Sequence, residues 1–254
     1  MKALTPSLLC LLMATSLIAQ TTSDVASNYT TWTDGSNQGT GFGSWDLSDN
    51  NNDPGSNLFA GYFLGDSTDG AADINTGGQS FGIYANPASA FANATRDFAT
   101  PLSVNDVFSV ELALNFDNGN KGFSLRGGGS EIFNFNVGSG ASVNSDFTDN
   151  PSTATYDYGG DALIEAVIEV ISANSLSYDI SRTSAQGTQG TLYSGTVTGI
   201  TQSIQSLEFY VSGTDDGSDL NNLYFNNLSV VPEPSVTALL VGGFAALIAL
   251  RRRR

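Results

Sequence analysis

The chain has no histidine, a single cysteine, and few basic residues. It holds nine lysines and arginines against 25 aspartates and glutamates, for a formal charge of -16 over 254 residues. Without histidine, the common Ser-His-Asp and Cys-His triads and histidine-based zinc sites are excluded. The cysteine is Cys10, close to the start, so no disulfide, thiol nucleophile or thiolate metal site is available beyond the first residues. The basic residues are Lys2, Arg96, Lys121, Arg126, Arg182 and Arg251 to Arg254. An acidic body with so few cations repels phosphate, so nucleic acid is discounted as a partner.

What is abundant is glycine, serine, threonine, asparagine and aspartate. That composition favours many turns between short strands. Phe108, Val110, Leu112, Leu114 and Phe116 alternate with other residues and are expected on one strand face. Ile132–Val137, Ser175–Ile180, Leu207–Val211 and Leu223–Val230 read as further strands. Gly127-Gly128-Gly129 and residues 213–217 are turn signals between them. Residues 161–171 carry Glu165 and Glu169 at a helical spacing, yet their β-branched content favours a long strand. Residues 21–56 are polar and expected to be loop-rich, with Trp32 and Trp45 packing them onto the core. The fold class expected is all-β, a single antiparallel β-sandwich over residues 21–230.

The ends differ from the middle. Lys2 followed by the apolar stretch Leu8–Ile18 reads as a secretory signal over residues 1–20, with cleavage near Ala19. The C-terminus runs Val231-Pro232-Glu233-Pro234-Ser235, then an apolar stretch from Val236 to Leu250, then Arg251, Arg252, Arg253 and Arg254. As a helix the apolar stretch would be about 22 Å long, short of the roughly 30 Å hydrocarbon core but able to span a thinned bilayer. Four arginines resist translocation, which sets the domain ahead of them on the far side of the membrane. The two prolines keep the preceding peptide extended.

This order of Pro-Glu-Pro, apolar helix and arginine cluster over residues 231–254 resembles the PEP-CTERM sorting domain. The resemblance implies processing by an exosortase, a membrane cysteine transpeptidase or protease, and a transient membrane anchor. It also implies a cell surface or extracellular matrix rich in polysaccharide. Within the exported part, Asn115-Phe116-Asp117-Asn118-Gly119 followed by Gly122-Phe123-Ser124-Leu125-Arg126, and a last strand through Asn226-Asn227-Leu228-Ser229-Val230, resemble the concanavalin A-like jelly roll of laminin-G-type and carbohydrate-binding domains. That resemblance spans about residues 80–231.

Candidate chemistry is sparse. Glu111, Glu131, Glu165, Glu169 and Glu208 are the glutamates a glycosidase would draw on, but none sits in a recognisable motif, so the chain is read as non-catalytic. Calcium is the one cofactor considered. Asp49, Asn51 and Asp53 place oxygen donors at alternate positions, and Asp215, Asp216 and Asp219 form a second group. Asp66, Asp69 and Asp73 form a third. None matches the EF-hand loop, and such runs are also ordinary turn chemistry. Trp32, Trp45, Tyr62, Tyr84, Tyr156 and Tyr158 are candidates for a sugar-binding platform, with the tryptophans expected in the core. Three roles remain open: a structural or adhesive surface protein, a carbohydrate-binding module, and a glycan-cleaving enzyme.

Overall fold

The computed structural model describes residues 21–51, 58–116, 118–137, 141–144, 152–154, 162–183, 189–214 and 218–232. The expected signal at 1–20 and the tail from Glu233, with Pro234 and Arg251 to Arg254, lie outside these residues. So do Asp53, Asp215, Asp216, Tyr156 and Tyr158. Among the described residues no helix is long and apolar enough to cross a membrane.

Two antiparallel sheets carry the chain. The first holds β1 (Thr22–Asp24), β3 (Phe59–Gly65), β4 (Ser80–Asn86), β6 (Asp106–Leu114), β11 (Ala162–Ser172), β12 (Ser175–Thr183), β13 (Gln189–Thr198) and β15 (Leu223–Pro232). The second holds β2 (Phe42–Asp49), β5 (Phe91–Phe98), β7 (Asn120–Gly127), β8 (Ser130–Asn136), β9 (Ala141–Asn144), β10 (Ser152–Ala154) and β14 (Ser206–Ser212). In the first, the order is β13-β12-β11-β6-β15-β4-β3, with β1 added against β15. In the second it is β10-β9-β8-β7-β14-β5-β2. The chain passes back and forth between the sheets, so most neighbours in space are distant in sequence.

Period-two patterning accounts for the core. Phe108, Val110, Leu112 and Leu114 point inward as expected, and Ile164, Ala166, Ile168 and Val170 do the same on β11. Residues 162–172 are thus a strand, and their outward positions include the exposed Val167 and Ile171. The inner faces meet through aromatic rings. Phe209 of β14 stacks on Phe225 of β15 with centroids 3.7 Å apart, and Trp45 of β2 packs against both.

Two expectations change. Phe116 lies beyond the end of β6 and is 40% exposed, because the pattern stops with the ladder at Leu114. The stretch 21–56 is more than loop, since β1 and β2 are strands; the sandwich begins at Thr22, within the span expected for it but ahead of the stretch that carries the jelly-roll resemblance. Trp32 and Trp45 are buried, as expected of core residues.

A buried polar knot ties the N-terminal stretch to the sheets. Asp24 of β1 and Arg96 of β5 form an ion pair with both side chains fully buried. Asn226 plays a similar part on β15. Its Oδ1 accepts from the Ala26 amide at 2.9 Å, and its Nδ2 donates to the Ile74 carbonyl at 2.8 Å. The next residue, Asn227, has φ 55° and sits in a bulge against β6. Asparagine tolerates that left-handed conformation, and the bulge divides one flank of β15 between two partners. Leu223–Phe225 pair with β4, and Leu228–Val230 pair with β1.

Candidate functional site

Aromatic side chains gather on the outer face of the first sheet, on β3, β4 and β15. On β3 the outward residues are Phe59, Gly61 and Phe63, and on β4 they are Gly82, Tyr84 and Asn86. The register sets each ring opposite a glycine: Gly61 faces Tyr84, and Phe63 faces Gly82. The glycines are needed for close approach. A Cβ on Gly82 would stand 2.3 Å from the Phe63 ring, and one on Gly61 would stand 2.9 Å from the Tyr84 hydroxyl. The rings therefore lie down over the neighbouring strand. Phe63 meets Tyr84 at 6.2 Å and Tyr224 of β15 edge to face at 5.7 Å.

Two turns build the end wall. In the segment before β4, the Asp66 side chain accepts from the Thr68 amide, the Thr68 hydroxyl and the Asn75 side chain. These bonds hold its carboxyl below the usual aspartate range. Ala71 and Ile74 then cover Tyr224 and Ala113. In the turn before β15, Ser218 accepts from the Leu220 amide at 3.3 Å. The turns touch at Gly70, where an added Cβ would lie 2.3 Å from the Asp219 carbonyl. Asn222 follows, its Nδ2 donating to the Asp219 carboxylate and the Tyr224 hydroxyl, each at 3.4 Å.

Between these parts runs an open groove of about 610 Å³, lined by Phe59, Tyr62, Phe63, Tyr84, Asn86, Asp219 and Asn222. That volume lies within the usual range for small-molecule sites. Phe59 is 60% exposed, a large apolar ring kept in water at the sheet edge. Tyr62 contributes differently. Its ring packs edge to face on Trp32 at 5.8 Å, and burial, aided by the Asp49 carboxylate, pushes its hydroxyl well above the ordinary phenol range. The groove can thus offer flat apolar faces with amide and carboxylate groups at one end.

The sequence-predicted residues scatter over the molecule. Tyr62, Tyr84 and Asp219 come together in the groove. Asp49 and Asn51 lie at the end of β2, where the Asp49 carboxylate accepts from the Asn51 amide at 2.9 Å in an ordinary turn. Among the described residues no group of three or more metal-binding side chains is gathered. Glu111 and Glu165 face each other across β6 and β11, and Glu111 accepts from Asn227 at 2.5 Å. Glu208 pairs with Arg126 at 2.7 Å on the outer face of the second sheet, and Glu131 there accepts from Ser124 at 2.9 Å. Burial and these two carboxylates push the Tyr210 hydroxyl upward, against the Asn134 donor that opposes the shift. Val231 and Pro232 are extended, but as the last two residues of β15, paired with Val107 and Asp106. Proline is tolerated at such a strand end. Phe59, Phe63, Asn86 and Asn222 were not singled out from sequence. The alternation Phe59-x-Gly61-x-Phe63 is the signal that marks two rings on one face.

No family model matches the chain, and no curated protein matches its sequence. Similar solved structures include a sialidase at 12% identity and TM-score 0.42, covering 68% of this chain and 17% of that one. The cellulose-induced protein Cip1 is similar at 14% identity and TM-score 0.43, covering 74% and 91%. The lectin UEA-II, solved with galactose, is similar at 11% identity and TM-score 0.41, covering 73% and 97%. The chain thus spans about a sixth of the sialidase it matches. At this distance the likeness assigns neither ligand nor activity to the chain, which is an antiparallel two-sheet β-sandwich.

Proposed function

We propose that the chain is an exported, non-catalytic surface protein whose sandwich holds extracellular polysaccharide through the groove on β3 and β4. The observation that carries this reading is the pair of rings, Phe63 and Tyr84, reaching over opposing glycines beside the exposed Phe59 and the Asn86 and Asn222 amides. Pyranose rings present C–H faces that pack on aromatic surfaces, and their hydroxyls require hydrogen-bond partners at the rim. In this reading the PEP-CTERM-like tail delivers the domain to the surface. An exosortase, acting on the peptide around Val231, Pro232, Glu233 and Pro234, removes the anchor that ends in Arg251 to Arg254.

This reading assigns the glutamates no catalytic role; Glu131 accepts from Ser124 and Glu208 pairs with Arg126, away from the groove lining. Calcium has no assigned place in the groove, whose lining includes a single carboxylate, Asp219. Affinity electrophoresis of the full chain through gels containing soluble polysaccharides tests the reading. Retardation by at least one polysaccharide is expected, and Phe59→Ala combined with Tyr84→Ala should remove it. Retardation that survives the double substitution would place binding elsewhere.

A further inference from the structure

The groove has one sign of charge. Among the described residues its lining contains the Asp219 carboxylate and no lysine or arginine. Behind the end wall, burial together with the carboxylates of Asp219, Asp69 and Asp66 raises the Tyr224 hydroxyl above its ordinary range, which places all three acids within electrostatic reach of that wall. The basic side chains do not enter the lining. Lys121 lies beneath the end wall, fully buried and donating to the Asn221 carbonyl at 2.7 Å, so its ammonium is closed off from a ligand in the groove. Arg96 is buried with Asp24, and Arg126 pairs with Glu208 on the other sheet. Arg182 is on β12, four strands from β4 in the sheet order, or roughly 19 Å at the usual strand spacing and beyond the Debye length at physiological salt.

Resting on the glycan-binding reading, we infer that the groove takes an uncharged glycan and turns away chains that carry uronate or sulfate on each residue. The rings and the Asn86 and Asn222 amides serve neutral hydroxyl-bearing sugars. An anionic residue seated on Phe63 and Tyr84 would bring its charge close to Asp219 with no cation in the lining to receive it. At a separation near 4 Å in water that repulsion amounts to roughly a fivefold loss for one charge pair, and it weakens with salt.

The test is calorimetric titration of the full chain in mild detergent with cellohexaose, mannohexaose and hexagalacturonate, at 20 and 200 mM NaCl. A neutral oligomer is expected to bind at least fivefold tighter than hexagalacturonate at low salt, with the gap narrowing at high salt. Asp219→Lys should bring hexagalacturonate to parity or better. Hexagalacturonate binding as tightly as the neutral sugars would overturn the selectivity and leave the groove reading intact. Selectivity unmoved by Asp219→Lys, in a variant with native melting temperature, would overturn the role of that carboxylate. Binding by none of the three oligomers would overturn both readings.

Discussion

Asp24 and Arg96 meet inside the sandwich as an ion pair that joins a strand of one sheet to a strand of the other. Neither side chain reaches solvent. Asp24 also accepts from the Tyr29 hydroxyl at 2.6 Å, and from Asn28 Nδ2 and the Val25 amide at 3.0 Å each. Arg96 spends its remaining donors on the Tyr29 hydroxyl, the Gly43 carbonyl, the Asn37 side chain and the Gln38 carbonyl. Its guanidinium also lies 4.9 Å from the Phe42 ring centre and 5.1 Å from that of Trp45. The pair therefore organises residues 24–45 around one charge.

Removing one partner should leave the other buried without compensation, at a cost of about 3–5 kcal/mol. Asp24→Asn and Arg96→Met are expected to show losses of that size in urea unfolding. Arg96→Lys should also lose more than about 1 kcal/mol, because an ammonium cannot reproduce the planar fork. Wild-type stability in Arg96→Lys would contradict this account of the knot.

Alkaline pH should loosen the same region. Tyr29 is pushed up to about 12, first by burial and then by the hydrogen bond and charge of Asp24. Below pH 10 the phenol is protonated in both folded and unfolded chains, so its contribution is fully present. Above pH 10 the unfolded chain ionises while the folded one resists until about pH 12, so stability falls across that window. Over that window Tyr29 alone contributes on the order of 2 kcal/mol. Tyr62, Tyr178, Tyr210 and Tyr224 shift in the same direction. The urea midpoint should decline from pH 10 to 11.5, and less steeply in Tyr29→Phe. A midpoint that is flat to pH 11.5 would refute the assignment.

Much of the fold could be read from the sequence, because the signal for a strand is local. Alternation from Phe108 to Leu114 gave the inward face of β6, and the β-branched content of residues 162–172 outweighed the spacing of Glu165 and Glu169. The early strands were hidden: β1 is three residues long, and β2 is broken by a register shift between Phe42 and Trp45. The groove was only half visible. Tyr62 and Tyr84 stood out as aromatics, but Asn222 joins them only because β15 lies beside β4, a pairing of residues far apart along the chain. No local pattern announces such a neighbour.

The glycine opposite Phe63 should matter more for binding than for folding. In Gly82→Ala the new methyl would meet the far end of the Phe63 ring, which can swing outward into the groove. A stability change under about 1 kcal/mol is expected, since the displaced group is a partly exposed side chain rather than backbone. Glycan affinity should drop at least fivefold. Full affinity with the substitution in place would show that the ring does not lie where binding occurs.

The tail can be tested separately from the domain. Val231 and Pro232 end β15, so the Pro-Glu-Pro element begins inside the sheet rather than on a spacer. Replacing Pro232, Glu233 and Pro234 by alanine in the native host should block maturation, seen as retention of the full-length form in the membrane fraction. The domain should keep its melting temperature within about 2 °C, because one residue at a strand end is affected. Normal processing of that variant would remove the sorting element from the proposal.

The most direct measurement is an amide chemical-shift titration of the full chain with a neutral oligosaccharide that retards it on affinity gels. The account predicts shifts clustered at residues 59–63, 82–86 and 219–222, with the outer face of the second sheet around Asn134 and Tyr210 unmoved. Shifts centred on Asn134, Glu208 and Tyr210, with β3 and β4 silent, would contradict it.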